Sequence, residues 1–197
     1  QTNKFLKFNT MKKRIFFIVP VILIAVTIGH TQDKFFTKTG KIFFKCTKPS
    51  SPEKIEGTNK SITCVLDTKT GNIQFAVLMK GFEFERALMQ EHFNENYAET
   101  DKFPKSEFKG QVLNNTEINY AKAGSYSARV KGSLQIHGET KNVETTGTIT
   151  IRDGKPELNA TFQVLLSDYK ISIPSLVSDK ISNTVDIAIE GKLDPLK

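Results

Sequence analysis

Few residues in this chain are of the types that carry catalysis or metal binding: three histidines and two cysteines. His30 falls just after an apolar segment near the start, in the region of a predicted export signal, which leaves His92 and His137 for any catalytic scheme. Cys46 and Cys64 show no paired Cys-x-x-Cys spacing, and no Gly-x-Ser-x-Gly elbow or phosphate-binding glycine loop occurs. We therefore expect no catalytic residues, no metal site, no cofactor, and a structural hydrogen bond for each histidine. The enzyme hypothesis instead requires Cys46, Cys64 or His92 to converge within bonding distance.

The two cysteines lie in strand-like runs and share parity with apolar neighbours. Cys46 alternates with Ile42 and Phe44, and Cys64 alternates with Ile62 and Leu66. An oxidising compartment would permit a disulfide between them. The sequence is equally compatible with a Cys46–Cys64 bridge and with two buried thiols.

The start of the chain has the pattern of an export signal. Basic residues cluster at 11–14, and residues 15–28 are almost wholly apolar before polarity returns. That apolar stretch is short for a bilayer, and Pro20 interrupts it. We therefore predict upstream residues and a signal peptide at 1–31, a folded domain at 32–197, a periplasmic or secreted location, and no stable membrane span after signal removal. A permanent membrane anchor is the alternative.

The positive charge belongs largely to this first segment. The net charge of the whole chain is +7, but five cations and no acids precede Gln32, which leaves a net charge of +2 for the remainder. A nucleic-acid-binding protein keeps a basic stripe on its folded surface. Because lysine alternates with acidic residues throughout the remainder, we expect no nucleic-acid partner.

The elements that must position any site are strands. From Tyr126 to Ile136 the even positions are apolar or small and the odd positions are polar, and three later runs repeat this period of two. Asp153-Gly154 supplies the positive φ angles of a two-residue hairpin turn. The pattern predicts an all-β antiparallel meander that forms a barrel or a sandwich. About eight strands are expected, with starts near Gly40, Ser61, Asn72, Lys105, Ser125, Asn142, Glu157 and Thr184.

One segment departs from the strand period. Between Arg86 and Tyr97, the residues Met89, Phe93 and Tyr97 are four apart and share one face of a helix. Pro104 disfavours helix at the residue before it. The sequence predicts one short helix between strands, whose Met and aromatic stripe serves either core packing or a ligand gate.

The inward positions leave the nature of the interior open. Small residues, Ala128, Gly132, Gly147 and Ala160, share the inward parity with large ones, and the chain has 15 Phe and no Trp. A barrel of about eight strands is either filled by side chains or just wide enough for one small ligand. Pattern alone favours neither the cavity nor the solid core.

A series of short motifs carries a resemblance to a known family. Their order and spacing across most of the chain resemble those of the YceI-like family. The resemblance implies a lipocalin-like, eight-stranded antiparallel barrel, exported by bacteria, that binds a polyisoprenoid in its apolar interior and has no assigned catalytic residues. The motifs are residues 88–97, Lys102-Phe103-Pro104, Phe108-Lys109-Gly110, residues 132–141, residues 168–171 and Ile173-Pro174.

We accordingly predict an apolar or amphiphilic ligand, an isoprenoid lipid or an isoprenoid quinone, inside the barrel. A polar or anionic head group could contact Tyr169, Lys170 and Arg129. The simpler interpretation is that Tyr169 is a turn tyrosine with a solvated hydroxyl and that Lys170 and Arg129 are surface charges. The alternative function is a secreted, solid-core barrel that acts through its surface as a protein-binding or envelope-stress module. The sequence does not predict the oligomeric state. The predicted ligand-binding residues are Phe44, Phe75, Val77, Met89, Phe93, Phe108, Tyr126, Val130, Leu134, Phe162, Val164, Tyr169 and Ile187.

Overall fold

Alternating apolar and polar residues form nine strands within residues 33–196, the part of the chain that the computed structural model describes. The predicted signal peptide and the predicted segment 1–31 lie outside these residues. Among the described residues, no helix combines the length and apolar character needed to cross a bilayer. The strands are β1 Lys34–Thr47, β2 Glu56–Asp67, β3 Asn72–Leu78, β4 Lys105–Val112, β5 Gly124–Ile136, β6 Glu139–Arg152, β7 Lys155–Leu165, β8 Ile181–Lys192 and β9 Asp194–Pro195.

The strands close into an antiparallel barrel. Each of β1 to β8 pairs with its sequence neighbours, and β1 pairs with both β2 and β8, which closes the sheet. The short β9 pairs with the start of β1, opposite Phe35 and Phe36. The predicted eight-stranded antiparallel barrel is confirmed, and the predicted starts of β3 and β4 at Asn72 and Lys105 match the observed ones.

The first two strands begin earlier than predicted, near Lys34 rather than Gly40 and near Glu56 rather than Ser61. In β1, register shifts between Thr37 and Ile42 interrupt the alternation on which the prediction depended. In β2, the inward Asn59 is polar, and its side-chain amide donates to the carbonyl of Leu78 at 2.9 Å. A buried polar residue satisfied by the backbone therefore hid the strand from a search for apolar alternation.

The predicted short helix between strands is present. Helix α1 spans Ala87–His92 and continues as one π-helical turn over Phe93–Tyr97. Ahead of it, a 3-10 turn at Met79–Gly81 leads into an extended segment whose Glu83 bridges to Thr58 of β2. Further 3-10 turns span Asn115–Glu117, Leu166–Tyr169 and Ser175–Val177.

The hairpin turns explain two tight connections. At Asp153-Gly154, φ is 50° and 71°, and at His137-Gly138 it is 50° and 76°. Both central residues are left-handed, as a type I′ turn between twisted antiparallel strands requires. The Asp-Gly signal in the sequence therefore identified its hairpin correctly.

The two ends of the barrel differ in how well they are filled. At one end, which we call the closed end, Phe35, Leu66, Ile151 and Leu193 are buried together, and Ile118 of the β4–β5 connection packs beneath them. At the other end, which we call the open end, lie the connections at 48–55, 79–104 and 166–180. The core thus seals one end and leaves room toward the other.

An apolar cavity as the candidate functional site

The barrel encloses a cavity of about 420 Å³. That volume lies within the range of about 300 to 1,000 Å³ usual for ligand pockets. Several inward residues along its wall, including Phe44, Val130 and Phe162, are only half-buried although they point into the barrel. They retain exposure because they face space rather than other side chains. The interior is therefore not solid, and the solid-core alternative is wrong in that respect.

Twelve of the thirteen predicted ligand-binding residues line this cavity, and Tyr126 does not. Tyr126 packs against the core of the closed end, and its hydroxyl donates to the carbonyl of Lys122 at 3.1 Å. Its parity was inward as predicted, but it lies near the start of β5, below the floor of the cavity. The lining residues are Phe44, Phe75, Val77, Met89, Phe93, Phe108, Val130, Leu134, Phe162, Val164, Tyr169 and Ile187.

An aromatic cluster that sequence reasoning missed in part forms one wall. Phe44 of β1 contacts Phe82, Phe84 and Phe93, with ring centroids 5.3, 5.7 and 5.6 Å away. Phe82 and Phe84 flank Glu83, the residue that bridges to β2. Their alternation was a visible signal, but it covers too few residues to predict a strand. Phe93, in the π-helical turn that continues α1, belongs to this cluster, so the helical stripe both packs and lines the cavity.

Charged residues mark where the cavity meets solvent at the open end. Arg86 and Leu88 line the cavity, yet their side chains are largely exposed, and Lys180 is 45% exposed. Glu53 joins two of them, because its carboxylate lies 2.5 Å from the Arg86 guanidinium and 3.2 Å from the Lys180 ammonium. We call Glu53, Arg86 and Lys180 the mouth triad. Hydrogen bonding from Lys180, together with the charge of Lys180 and Arg86, lowers the pKa of Glu53, so this carboxyl group is ionised at neutral pH.

The barrel wall also forks between β6 and β7. Their pairing runs from Arg152–Lys155 to Gly147–Ala160, and within residues 33–196 no further β6–β7 pair follows although both strands continue. At the fork, a Cβ on residue 147 would lie 2.7 Å from the carbonyl oxygen of Asn159, so glycine allows the two backbones to approach. Thr148 and Asn159 are exposed and still border the cavity. The cavity therefore reaches the surface at the fork as well as at the mouth.

The residues considered for a head group have separate positions. Tyr169 is 2% exposed and lines the cavity, and burial together with the charge of Asp168 raises its pKa to about 12. It lies in the 3-10 turn Leu166–Tyr169 and its ring is buried, as the turn-tyrosine interpretation expected. Lys170 binds Glu139 at 2.7 Å outside the lining, and Arg129 is exposed on the outer face of β5. These two cations do not border the cavity.

His137 fastens the rim of the open end. Its Nδ1 lies 3.1 Å from the backbone carbonyl of Tyr169, and its Nε2 lies 2.7 Å from the Glu99 carboxylate. Its ring also packs on Phe103, with centroids 4.3 Å apart. Both polar partners are acceptors, so the imidazolium form can donate to both. The predicted structural hydrogen bond of His137 is confirmed, and it links the β5–β6 turn to two neighbouring connections.

Glu99 makes this fastening sensitive to acid. Its carboxylate accepts hydrogen bonds from Lys102 at 2.9 Å and from His137, and these bonds lower its pKa below the ordinary 4.5. A carboxyl group whose pKa is lowered by folding stabilises the fold above its unfolded pKa, and this contribution is lost as the pH falls through the folded value.

We therefore expect Glu99→Gln to lower the thermal midpoint at pH 7 and the difference from wild type to shrink toward pH 3. Scanning calorimetry from pH 3 to pH 7 measures it. Glu95→Gln, at an exposed carboxylate in the π-helical turn, is the control and should show no such trend. A constant offset at every pH would contradict the assigned role of the Glu99 charge.

The two cysteines are free thiols and lie far apart. Cys64 pairs with Thr37 of β1, nine positions before Cys46, which corresponds to roughly 30 Å along an extended strand. A disulfide requires Cα atoms less than about 7 Å apart, so the bridge interpretation is wrong. Burial raises the pKa of Cys46, which lines the cavity, to about 12, and it raises the pKa of Cys64 further. Both therefore remain protonated, unreactive thiols.

His92 is an exposed residue of α1 that borders the cavity. Within residues 33–196, no three His, Cys, Asp or Glu side chains are grouped so that they could hold a metal ion. Cys46, Cys64 and His92 therefore do not form a metal-binding group of three.

Fold and cavity together define the class: a closed, lipocalin-like, eight-stranded antiparallel barrel with an apolar interior open at one end. The chain belongs to the YceI-like family, since the model of the YceI-like domain matches residues 30–193. A comparison with curated protein sequences gives no match.

Several solved structures share the fold at low sequence identity. A polyisoprenoid binding domain from Saccharophagus degradans, implicated in plant cell wall breakdown, aligns with a TM-score of 0.70 at 12% identity, covering 84% of this chain and 99% of that one. BcnA of Burkholderia cenocepacia aligns with a TM-score of 0.63 at 15% identity, covering 79% and 96%. The YCEI protein of Campylobacter jejuni aligns with a TM-score of 0.51 at 17% identity, covering 74% and 88%.

Proposed function

We propose that this protein binds and carries an isoprenoid-type amphiphile, a polyisoprenoid lipid or an isoprenoid quinone, with the hydrocarbon chain inside the barrel. The observation that carries the proposal is the 420 Å³ apolar cavity with half-buried walls. Burial of each CH₂ group is worth about 0.8 kcal/mol, so an aliphatic chain gains affinity along its whole length. The description of the Saccharophagus degradans relative as a polyisoprenoid binding domain supports the same ligand class.

The proposal is for a binding protein rather than an enzyme. The ionisable groups that line the cavity include Cys46 and Tyr169, and the pKa of each is raised to about 12, which keeps both neutral and poorly nucleophilic at physiological pH. The ring of His137 is held by two hydrogen bonds in a structural role. A lining of this kind shields a chain from water and offers little to activate a bond.

We also propose that binding takes place outside the cytoplasm. The support is the sequence of the first 31 residues, in which a basic cluster precedes an apolar stretch and a return to polarity. In that location, the barrel would keep an insoluble chain dispersed in an aqueous compartment.

One preparation tests both ligand and location. The protein is expressed from its full gene in a bacterial host, purified without detergent from the periplasm or medium, and divided for organic extraction with mass spectrometry and for intact mass measurement. We expect an isoprenoid amphiphile near one equivalent and a polypeptide mass that lacks the signal segment. Recovery of no bound amphiphile would contradict the carrier function, and an uncleaved cytoplasmic protein would contradict the export proposal.

A further inference from the structure

The mouth triad places two cations and one anion where the apolar cavity reaches solvent. Arg86 is the residue before α1, Lys180 lies at the end of the loop before β8, and Glu53 lies in the β1–β2 loop. All three border the cavity. When the chain of an amphiphile fills the barrel from this end, its head group lies among these side chains.

The charge facing the cavity at the mouth is positive. In the described part of the chain, the cavity lining contains two residues that carry a full positive charge, Arg86 and Lys180, and two carboxylates, Glu53 and Glu107. The Glu107 carboxylate is bound by Lys105 and Lys109, so it is neutralised on the outer face of β4. The mouth triad therefore carries one uncompensated positive charge.

The contacts of Glu53 indicate what kind of group the positive charge at the mouth can bind. Its two carboxylate oxygens each bind one cation, Oε1 the Arg86 guanidinium and Oε2 the Lys180 ammonium. An oxyanion between these two donors is therefore already represented in the structure by a side chain of the protein. A phosphate or carboxylate on a ligand offers the same oxygen geometry and the same charge-assisted hydrogen bonds.

We propose that the bound amphiphile has an anionic head group, a phosphate or a carboxylate, and that Arg86 and Lys180 bind it at the mouth in competition with Glu53. This proposal depends on the proposed function, because it names the class of ligand for the same cavity. It places the head group at the mouth and not at the β6–β7 fork, where Thr148 and Asn159 offer only neutral polar groups.

The test compares two ligands with the same chain, farnesyl phosphate and farnesol, by calorimetric titration or displacement of a fluorescent apolar probe. Wild type should bind the phosphate at least about tenfold more tightly than the alcohol, and added salt should reduce that preference. Lys180→Gln and Arg86→Gln should each reduce the preference severalfold, because each removes one cation that binds the phosphate. Glu53→Gln should increase affinity for the phosphate, because both cations lose their internal competitor.

Lys60→Gln is the matched control, since Lys60 also pairs with a carboxylate, that of Glu83, but lies outside the cavity lining. It should change neither affinity. Equal affinity for the two ligands, or a preference that survives both cation substitutions, would overturn the anionic head group and leave the carrier function standing. If neither ligand binds inside the cavity, the proposed function is overturned instead. Binding inside the cavity is recognised by its loss in a variant with an occluded barrel, such as Ala160→Phe. If Glu53→Gln unfolds, as its thermal midpoint will show, the two cation variants still decide the question.

Discussion

Ala160→Phe is expected to reduce the affinity for farnesol by at least about tenfold without destabilising the barrel. Ala160 lies on the inner face of β7, lines the cavity, and pairs with Gly147 on one side and with Ile189 on the other. A phenyl ring at this position occupies space that a ligand chain would otherwise fill. Inserting extra atoms into a packed core costs about 1 to 3 kcal/mol, but a ring that enters empty space avoids that cost.

Thr161→Phe is the matched control for this prediction. Thr161 is the next residue of β7, carries an exposed side chain on the outer face, and pairs with Ala188. The same ring placed there should leave farnesol binding unchanged. Titration gives the affinity and urea denaturation gives the free energy of unfolding for both variants. If Ala160→Phe loses more than about 1 kcal/mol of stability while binding is retained, the volume assigned to the cavity is already filled.

Two isoleucines should differ in how much they stabilise the fold. We expect Ile151→Ala to lose about 3 to 4 kcal/mol and Ile189→Ala to lose less than about 2 kcal/mol. Ile151 is 1% exposed, lies in the core of the closed end and does not line the cavity. Ile189 is half-buried and faces the cavity, so its removal takes away fewer packing contacts and enlarges space that already exists.

The pair is matched in chemistry, because both residues are isoleucines in strands that pair on both sides. The change in intrinsic strand preference is therefore the same, and the difference between the two losses reports packing alone. Urea denaturation followed by circular dichroism measures both free energies of unfolding. Equal losses at the two positions would mean that the open half of the barrel is as tightly packed as the closed half.

The strands that could be predicted from the sequence are those whose burial alternates without interruption. From Tyr126 to Ile136 each inward position is apolar or glycine. Asp153-Gly154 lies between two alternating runs, where this dipeptide is typical of a two-residue hairpin turn. The start of β1 could not be predicted in this way, because a shift of register near Gly40 changes which face each residue occupies. The start of β2 was hidden by Asn59, whose burial depends on a backbone carbonyl 19 residues further along.

The candidate site shows the same division. Parity identified inward residues such as Phe44, Phe162 and Ile187 correctly. Parity does not report depth along the barrel axis, and for this reason Tyr126 was assigned to the cavity although it packs against the floor. The mouth triad was missed because Glu53, Arg86 and Lys180 lie in three connections separated by up to 127 residues.

By itself, the sequence determined the all-β fold class, the inward face of most strands, one helix and the family. These features depend on the local spacing of apolar residues and on motifs that occur in a fixed order. Only the tertiary structure decided that the interior is hollow, that the cysteines lie apart, and that charges meet at one mouth. Whether side chains fill a space depends on how far apart closure of the sheet holds the opposing walls, and that distance is a property of all eight strands together.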